Sequence, residues 1–233
     1  MKNRGIFEKA HEATINDKDF RRLASLIEKE SGIKMPDHKK IMLQSRLKKR
    51  LYQLGMDDFK AYCDYVFDPQ KGPHETLYLL NFISTNKTDF FREPTHFDIL
   101  EKKILPALLK KTDSLEVWSA GCSSGEEVFS LAIILEEMKY YFPRFDYSIL
   151  GTDISTPMLE QAAKAVYHQK NISDIPLKLR KKYLLRHKNP KEPYVRIVPL
   201  LRKKTTFKYL NLMSPQYGIE KKYDIIFFRN VLI

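Results

Sequence analysis

One stretch narrows the choice of folds more than any other. Between Leu115 and Asp153 a strand-like run, a loop of small residues, a helix-like run and a second strand follow one another. Leu115 to Ser119 reads LEVWS, the loop reads AGCSSG, Glu126 to Tyr140 has the period of an amphipathic helix, and Tyr147 to Asp153 reads YSILGTD. Thr156 to Tyr167 reads as a further helix, and Thr205 to Leu210 and Tyr223 to Phe228 supply later strands. Strands alternating with helices of this length build a parallel sheet with crossover helices, so an α/β domain is expected. Tyr183 to Lys204 is too basic and irregular for a core, and within it Tyr194 to Val198 (YVRIV) reads as a strand of a small insertion.

The first 84 residues have another character. An Asn16/Asp17 start leads into FRRLASLIEKE with Gly32 past its end, Asp37 to Leu54 is closed by Gly55, Asp57 to Phe67 stops at Asp68-Pro69, and HETLYLLNFIS follows Pro73. These are helix start and stop signals, and they predict a helical module. Leu43, Leu47, Leu51 and Leu54 fall at spacings of four, four and three, one apolar stripe, with Arg46, Lys49, Arg50 and Gln53 alongside. A last helix, Pro94 to Leu109, bridges to the α/β region.

Composition sets limits. With 43% hydrophobic and 12% aromatic residues but only 8 Gly and 12 Pro in 233, the chain buries a core, which excludes wholesale disorder and fibrous repeats. No window approaches the roughly 18 apolar residues of a membrane span and the start lacks a signal-peptide core, so a cytoplasmic protein without membrane insertion is expected. Cys63 and Cys122 lie far apart without CxxC spacing, against a disulfide framework or a metal site. The charge of +12 is uneven: residues 1–75 hold 16 basic and 12 acidic side chains, residues 76–165 hold 9 and 13, and residues 166–233 hold 16 and 4. Lys39 to Arg50 carries six cations and no acid, and Tyr167 to Lys208 carries thirteen cations against two acids. An acidic partner is expected there, beside the plainer reading of a solvated face.

Four segments carry candidate chemistry. Small residues from Ser119 to Gly125 would let a ligand lie against backbone N–H groups at the C-terminal edge of a parallel sheet. Glu126 and Glu127, which open the next helix, would either attract a cationic ligand group or merely complement the helix dipole. Asp153, ending the second strand, is placed to accept ribose hydroxyls, although Asp there is also an ordinary helix cap. Thr85 to Pro94 (TNKTDFFREP) interleaves amide, hydroxyl and guanidinium groups with two Phe, either a donor-bearing segment or a plain linker. Asn211-Leu212-Met213 and Phe228-Arg229-Asn230-Val231 follow strands where ligand-edge loops belong.

TNKTDFFREPTHFDIL, VWSAGCSSGEEVFSLAIIL, GTDISTPMLEQAAKAVY, FKYLNLM and YDIIFFRNVLI, in this order, resemble the CheR-type methyltransferases that methylate glutamates on bacterial chemoreceptors using S-adenosylmethionine. The resemblance runs over nearly the whole chain, including SRLKKRLYQLGMDDF. It implies a helical domain over 1–84 that docks on the receptor, then a Rossmann-like class I methyltransferase domain over 85–233 with a β-subdomain inserted at about 183–204. It places Asn86, Thr88 and Arg92 along the cofactor pocket and one or both of Glu126 and Glu127, the latter slightly preferred, on the methionine amino group. Asp153 falls on the ribose, and Asn211, Leu212, Arg229 and Asn230 on the loops closing over the adenosine and methyl-donor side. It also offers Arg46, Lys49 and Arg50 for docking on the acidic methylation region, and leaves open whether a receptor tail peptide is held as well.

The chain departs from the family pattern in Val128-Phe129 after Glu127 and in Phe228. It also stops at Ile233, where the family continues, so an incomplete domain is expected. The implied reaction gives a glutamate methyl ester and S-adenosylhomocysteine. A glutamate with a reference pKa of about 4.3 needs no general base at neutral pH. Charge disappears along this path, so an ion pair to Arg92 would favour the ground state, and Arg92, the one residue assigned to the reaction centre, is expected to orient more than to activate. The alternatives are a non-catalytic adaptor that binds S-adenosylmethionine or S-adenosylhomocysteine, and an RNA methyltransferase. The basic runs lack the aromatic interleaving of a base-stacking surface, which argues against a nucleic-acid partner.

Overall fold

The computed structural model describes residues 12–84 and 86–231, and the chain divides into two compact units. The expected boundary at Thr85, the chain start and its end at Ile233 lie outside the described residues.

The first unit is helical: α1 (Asp17–Ser31), a short 3₁₀ turn (Asp37–Lys39) running into α2 (Lys40–Leu54), α3 (Phe59–Val66) and α4 (Gly72–Ile83). The start and stop signals act as the sequence predicts. Asn16 Oδ1 accepts from the Asp19 N–H at 2.8 Å, and Gly32 closes α1 in the left-handed region at φ +72°. Leu43, Leu47 and Leu51 are fully buried, so the stripe faces the core. Glu75, 1% exposed, is held by Arg50 through two bonds of 2.9 and 2.6 Å and by the Tyr62 hydroxyl at 3.0 Å. A buried carboxylate survives only when paired in this way, and Tyr62, buried beside it, has its hydroxyl pKa raised by desolvation first and by the Glu75 charge second. Asn211–Pro215 also belong to this unit.

The second unit is built on a four-stranded sheet in the order β6-β2-β1-β7, from β1 (Ser114–Ala120), β2 (Asp146–Asp153), β6 (Thr205–Tyr209) and β7 (Ile225–Phe228). All three pairings are parallel, with Ala120 opposite Thr152 and Phe228, and Asp153 opposite Tyr209. Every strand therefore ends at one edge. The central β1 and β2 are buried on both faces while β6 and β7 alternate, as central and outer strands should. Helix α7 (Glu126–Met138) is almost wholly buried, and α8 (Thr156–Lys164) follows β2. This is the Rossmann-like arrangement expected from the sequence.

Two details differ from the sequence reading. The helix from Pro94 is interrupted: α5 (Pro94–Ile99) passes through a π-turn (Leu100–Ile104) into α6 (Leu105–Leu108). Pro106 has no N–H to give to an α-helical ladder, and the wider turn accommodates it. The expected helix Thr156 to Tyr167 ends at Lys164, because Ala165 turns left-handed at φ +54° and the chain enters β3 (Val166–His168). β3 joins β5 (Tyr194–Ile197) and β4 (Leu184–Arg186) in a three-stranded antiparallel sheet of order β3-β5-β4. Its first strand thus precedes the stretch of about 183–204 expected for the insertion. The short α9 (Leu177–Tyr183) and α10 (Pro199–Arg202) flank it in sequence. Among the described residues no helix is long and apolar enough to cross a membrane.

Candidate functional site

The loop leaving β1 is shaped by residues that tolerate a left-handed backbone. Gly121, Ser123 and Gly125 have φ of +80°, +48° and +92°. The N–H groups of Gly121 and Cys122 both donate to the Thr152 carbonyl of the neighbouring strand, at 2.8 and 2.9 Å, which ties the loop to the end of β2. A Cβ at Gly121 would lie 2.4 Å from Cγ2 of Val231, so the loop after β7 closes on that position and only glycine fits it.

Asp153 ends β2 with its side chain 8% exposed as a residue. Oδ2 accepts from the Ser123 N–H and Oδ1 from the Ser155 N–H, each at 2.8 Å. Each carboxylate oxygen has a second lone pair, so the group can still accept from a vicinal diol. Burial pushes its pKa up while hydrogen bonds from the backbone of Ser155, Ser123 and Ile154 pull the other way. The two glutamates opening α7 differ. Glu126 is 3% exposed and accepts from the Ser124 hydroxyl at 2.7 Å. Glu127 accepts from the Ser119 hydroxyl at 2.7 Å and from Nη1 of Arg229 at 3.2 Å. Burial raises the pKa of both, and for Glu127 the Ser119 bond and the Arg229 charge offset part of that rise.

Arg229, just past β7, ties the segment before α5 to this cluster. Its Nη2 donates to the Arg92 carbonyl at 2.7 Å and to Glu93 at 2.9 Å, and its guanidinium lies over the Phe97 ring at 5.4 Å. Arg229 holds the Glu93 carboxyl below its ordinary range. Asn230, at φ +56°, reaches the other Glu93 oxygen at 3.4 Å. Arg92 itself donates to the Lys87 carbonyl at 2.7 Å, and Ser123 donates its hydroxyl to the Asn86 carbonyl at 3.1 Å. Thr88 is half-buried in the same segment.

The structure therefore gathers Asn86, Thr88, Arg92, Glu126, Glu127, Asp153, Arg229 and Asn230 within the α/β unit. Asn211 and Leu212 group with the helical unit, where the Asn211 amide donates to the Glu30 carbonyl at 2.5 Å and accepts from the Met213 N–H. Of the three docking candidates, Arg46 donates to the carbonyls of Phe82, Ile83 and Ser84 and so caps α4, and Arg50 is committed to Glu75. Lys49 is exposed. Sequence reasoning did not single out Glu93 and Ser119 as partners of this cluster. Glu93 stood inside the TNKTDFFREP segment and Ser119 at the head of the loop, and only the return of the chain through β7 shows what they hold.

A cofactor with a vicinal diol and an ammonium group fits this donor set. A carboxylate stands at the end of β2 and two more in the first turn of α7, glycine occupies the two crowded left-handed positions of the loop, and Nε of Arg229 is buried without an acceptor among the described residues. Fold and site together define an α/β domain of the kind that binds a nucleoside-bearing cofactor at its sheet edge. The family model "CheR methyltransferase, SAM binding domain" matches residues 86–233, and "CheR methyltransferase, all-alpha domain" matches residues 18–84. The chain belongs to the CheR methyltransferase family. It is similar to the chemotaxis protein methyltransferase of Borreliella burgdorferi, 37% identical over 225 residues that cover 94% of this chain and 78% of that one. The proteins of the same name from Salmonella typhimurium and Escherichia coli are each 32% identical over 228 residues, covering 98% of this chain and 77% and 78% of theirs.

Proposed function

We propose that this protein methylates glutamate side chains in the cytoplasmic methylation region of chemoreceptors, with S-adenosylmethionine as donor and S-adenosylhomocysteine as product. The observation that carries this reading is the buried carboxylate of Asp153 at the end of β2 and the partly buried one of Glu127 in the first turn of α7, both bonded to the Ser119–Gly125 stretch with its left-handed residues. The names of the curated relatives support chemotaxis as the setting.

Bound S-adenosylmethionine supplies a methyl group activated on a sulfonium. Asp153 takes the ribose hydroxyls on the lone pairs its backbone bonds leave free, and Glu127, the less enclosed of the two glutamates, takes the amino group. Glu126 faces Ser124 and stiffens the loop. Asn86, Thr88 and Arg92 orient the ligand from a segment that Arg229 and Asn230 tie down through Glu93. No residue acts as a base, because the accepting carboxylate is ionised at neutral pH. Rate comes from alignment and exclusion of water, which can supply on the order of 7 to 11 kcal/mol. Lys49 is the docking residue the fold leaves exposed.

Tritium transfer from labelled S-adenosylmethionine to purified receptor cytoplasmic fragments tests the reading. Base-labile label on the fragment is the expected result. Cofactor binding without transfer would replace it with an adaptor role, and label appearing on RNA in place of the receptor would overturn it.

A further inference from the structure

Tyr167 lies on β3 of the small antiparallel sheet and is none of the residues so far assigned to the cofactor. It is 1% exposed, and its hydroxyl donates to the Ser124 carbonyl at 2.7 Å. That carbonyl sits in the turn whose Ser123 N–H holds Asp153 and whose Ser124 hydroxyl holds Glu126. The approach is close enough to constrain the turn itself: a Cβ on Gly125 would stand 3.1 Å from the Tyr167 oxygen and 2.9 Å from the Ala162 Cβ. The ring packs edge-on against Phe90 with centroids 4.9 Å apart, and against Phe129 at 6.2 Å. Phe90 lies between Asn86 and Arg92, and Phe129 lies on α7 two residues past Glu127. One side chain therefore touches the loop, the adjoining segment and the helix that together carry the proposed pocket.

We propose that Tyr167 is a positioning residue for cofactor binding, a clamp from the small sheet that fixes the Ser123–Gly125 turn in its ligand-ready shape. The assignment rests on the reading that S-adenosylmethionine lies on this loop. Phenylalanine would fill the same volume but would leave a buried carbonyl unpaired, and the turn escapes that cost by rotating the Ser124–Gly125 peptide. The rotation also breaks the bond from the Gly125 N–H to the Cys122 carbonyl, 3.0 Å, and loosens the support of Asp153 and Glu126.

Calorimetric titration of the whole chain with S-adenosylhomocysteine tests this, comparing the unmodified protein with Tyr167→Phe and Tyr147→Phe. Tyr147 is an equivalent loss elsewhere: it is 3% exposed and its hydroxyl meets the Ala132 carbonyl at 3.1 Å and Glu136 at 3.0 Å, near the opposite end of β2. Both variants lower the melting temperature. Only Tyr167→Phe is expected to raise Kd, by about tenfold, within the usual range of site coupling. Equal affinity for Tyr167→Phe and the unmodified chain, or equal weakening in both variants, overturns the assignment. Failure of the unmodified chain to bind would sink the pocket reading and the clamp with it. Hydrogen exchange on the unmodified chain needs no variant: S-adenosylhomocysteine should protect 119–127 and 166–168 together, and protection of the first without the second overturns the proposal.

Discussion

Five non-glycine residues adopt positive φ among the described residues, and four of them, Phe91, Glu93, Ser123 and Asn230, lie in the segments that meet around Glu127 and Asp153. Such conformations cost about 1–3 kcal/mol each and persist where surrounding contacts over-determine them, as the Arg229 bridge does for Glu93. On the proposed reading, the two adjacent glutamates separate binding from support. Glu127→Gln should weaken S-adenosylhomocysteine binding by at least tenfold, the scale of a charged hydrogen bond, whereas Glu126→Gln should change it by less than about threefold. The reverse pattern in titration calorimetry would move the amino-group contact to Glu126. Their pKa values also set the pH response. Burial raises Glu126 above its ordinary 4.5, so its ionised form opposes folding fully above the raised value, and the penalty shrinks as pH falls from there and is gone below 4.5. Glu126→Gln should therefore raise the melting temperature near pH 7 and lose that gain in acid. Glu127 is raised in the same way, so affinity should begin to fall at a pH above the usual glutamate range.

Helix α2 divides its cations between the interior of its unit and the surface, where the proposed docking would use them. Arg46 caps the last carbonyls of α4 and Arg50 neutralises a buried carboxylate, so both act inside the unit. Lys49, between them in sequence, faces outward. Arg46→Ala should lower stability to urea by about 1–3 kcal/mol, and Lys49→Glu should leave it unchanged while weakening binding to an acidic receptor fragment. A stable Arg46→Ala protein, or unaltered receptor binding by Lys49→Glu, would contradict this division. The stripe of Leu43, Leu47 and Leu51 was readable because helical period reports burial. The destinations of the arginines were not, because the partners of Arg46 are carbonyls 36 to 38 residues away and that of Arg50 is Glu75. β3 was hidden for a related reason: Val166 and Tyr167 continue the apolar pattern of α8, and only the left-handed turn at Ala165 and the pairing with β5 make them a strand.

At the scale of the whole molecule, the parallel sheet and the place of its loops followed from strand, small-residue loop, helix and strand, since that order leaves few ways to cover a sheet. The same logic placed Asp153 and the two glutamates at one edge, where they are found. Contacts across the chain were beyond it: Arg229 reaches Glu93 and Glu127 over more than a hundred residues, and no local pattern announces such a bridge. The insertion was visible through its composition, but its first strand was not. Everything proposed about activity depends on where the cofactor lies. A crystal structure of the chain grown with S-adenosylhomocysteine addresses this most directly: the ribose hydroxyls should rest on Asp153 and the amino group on Glu127, over the Gly121–Gly125 loop. A ligand found away from that edge, or reversed upon it with the ribose distant from Asp153, would contradict the account.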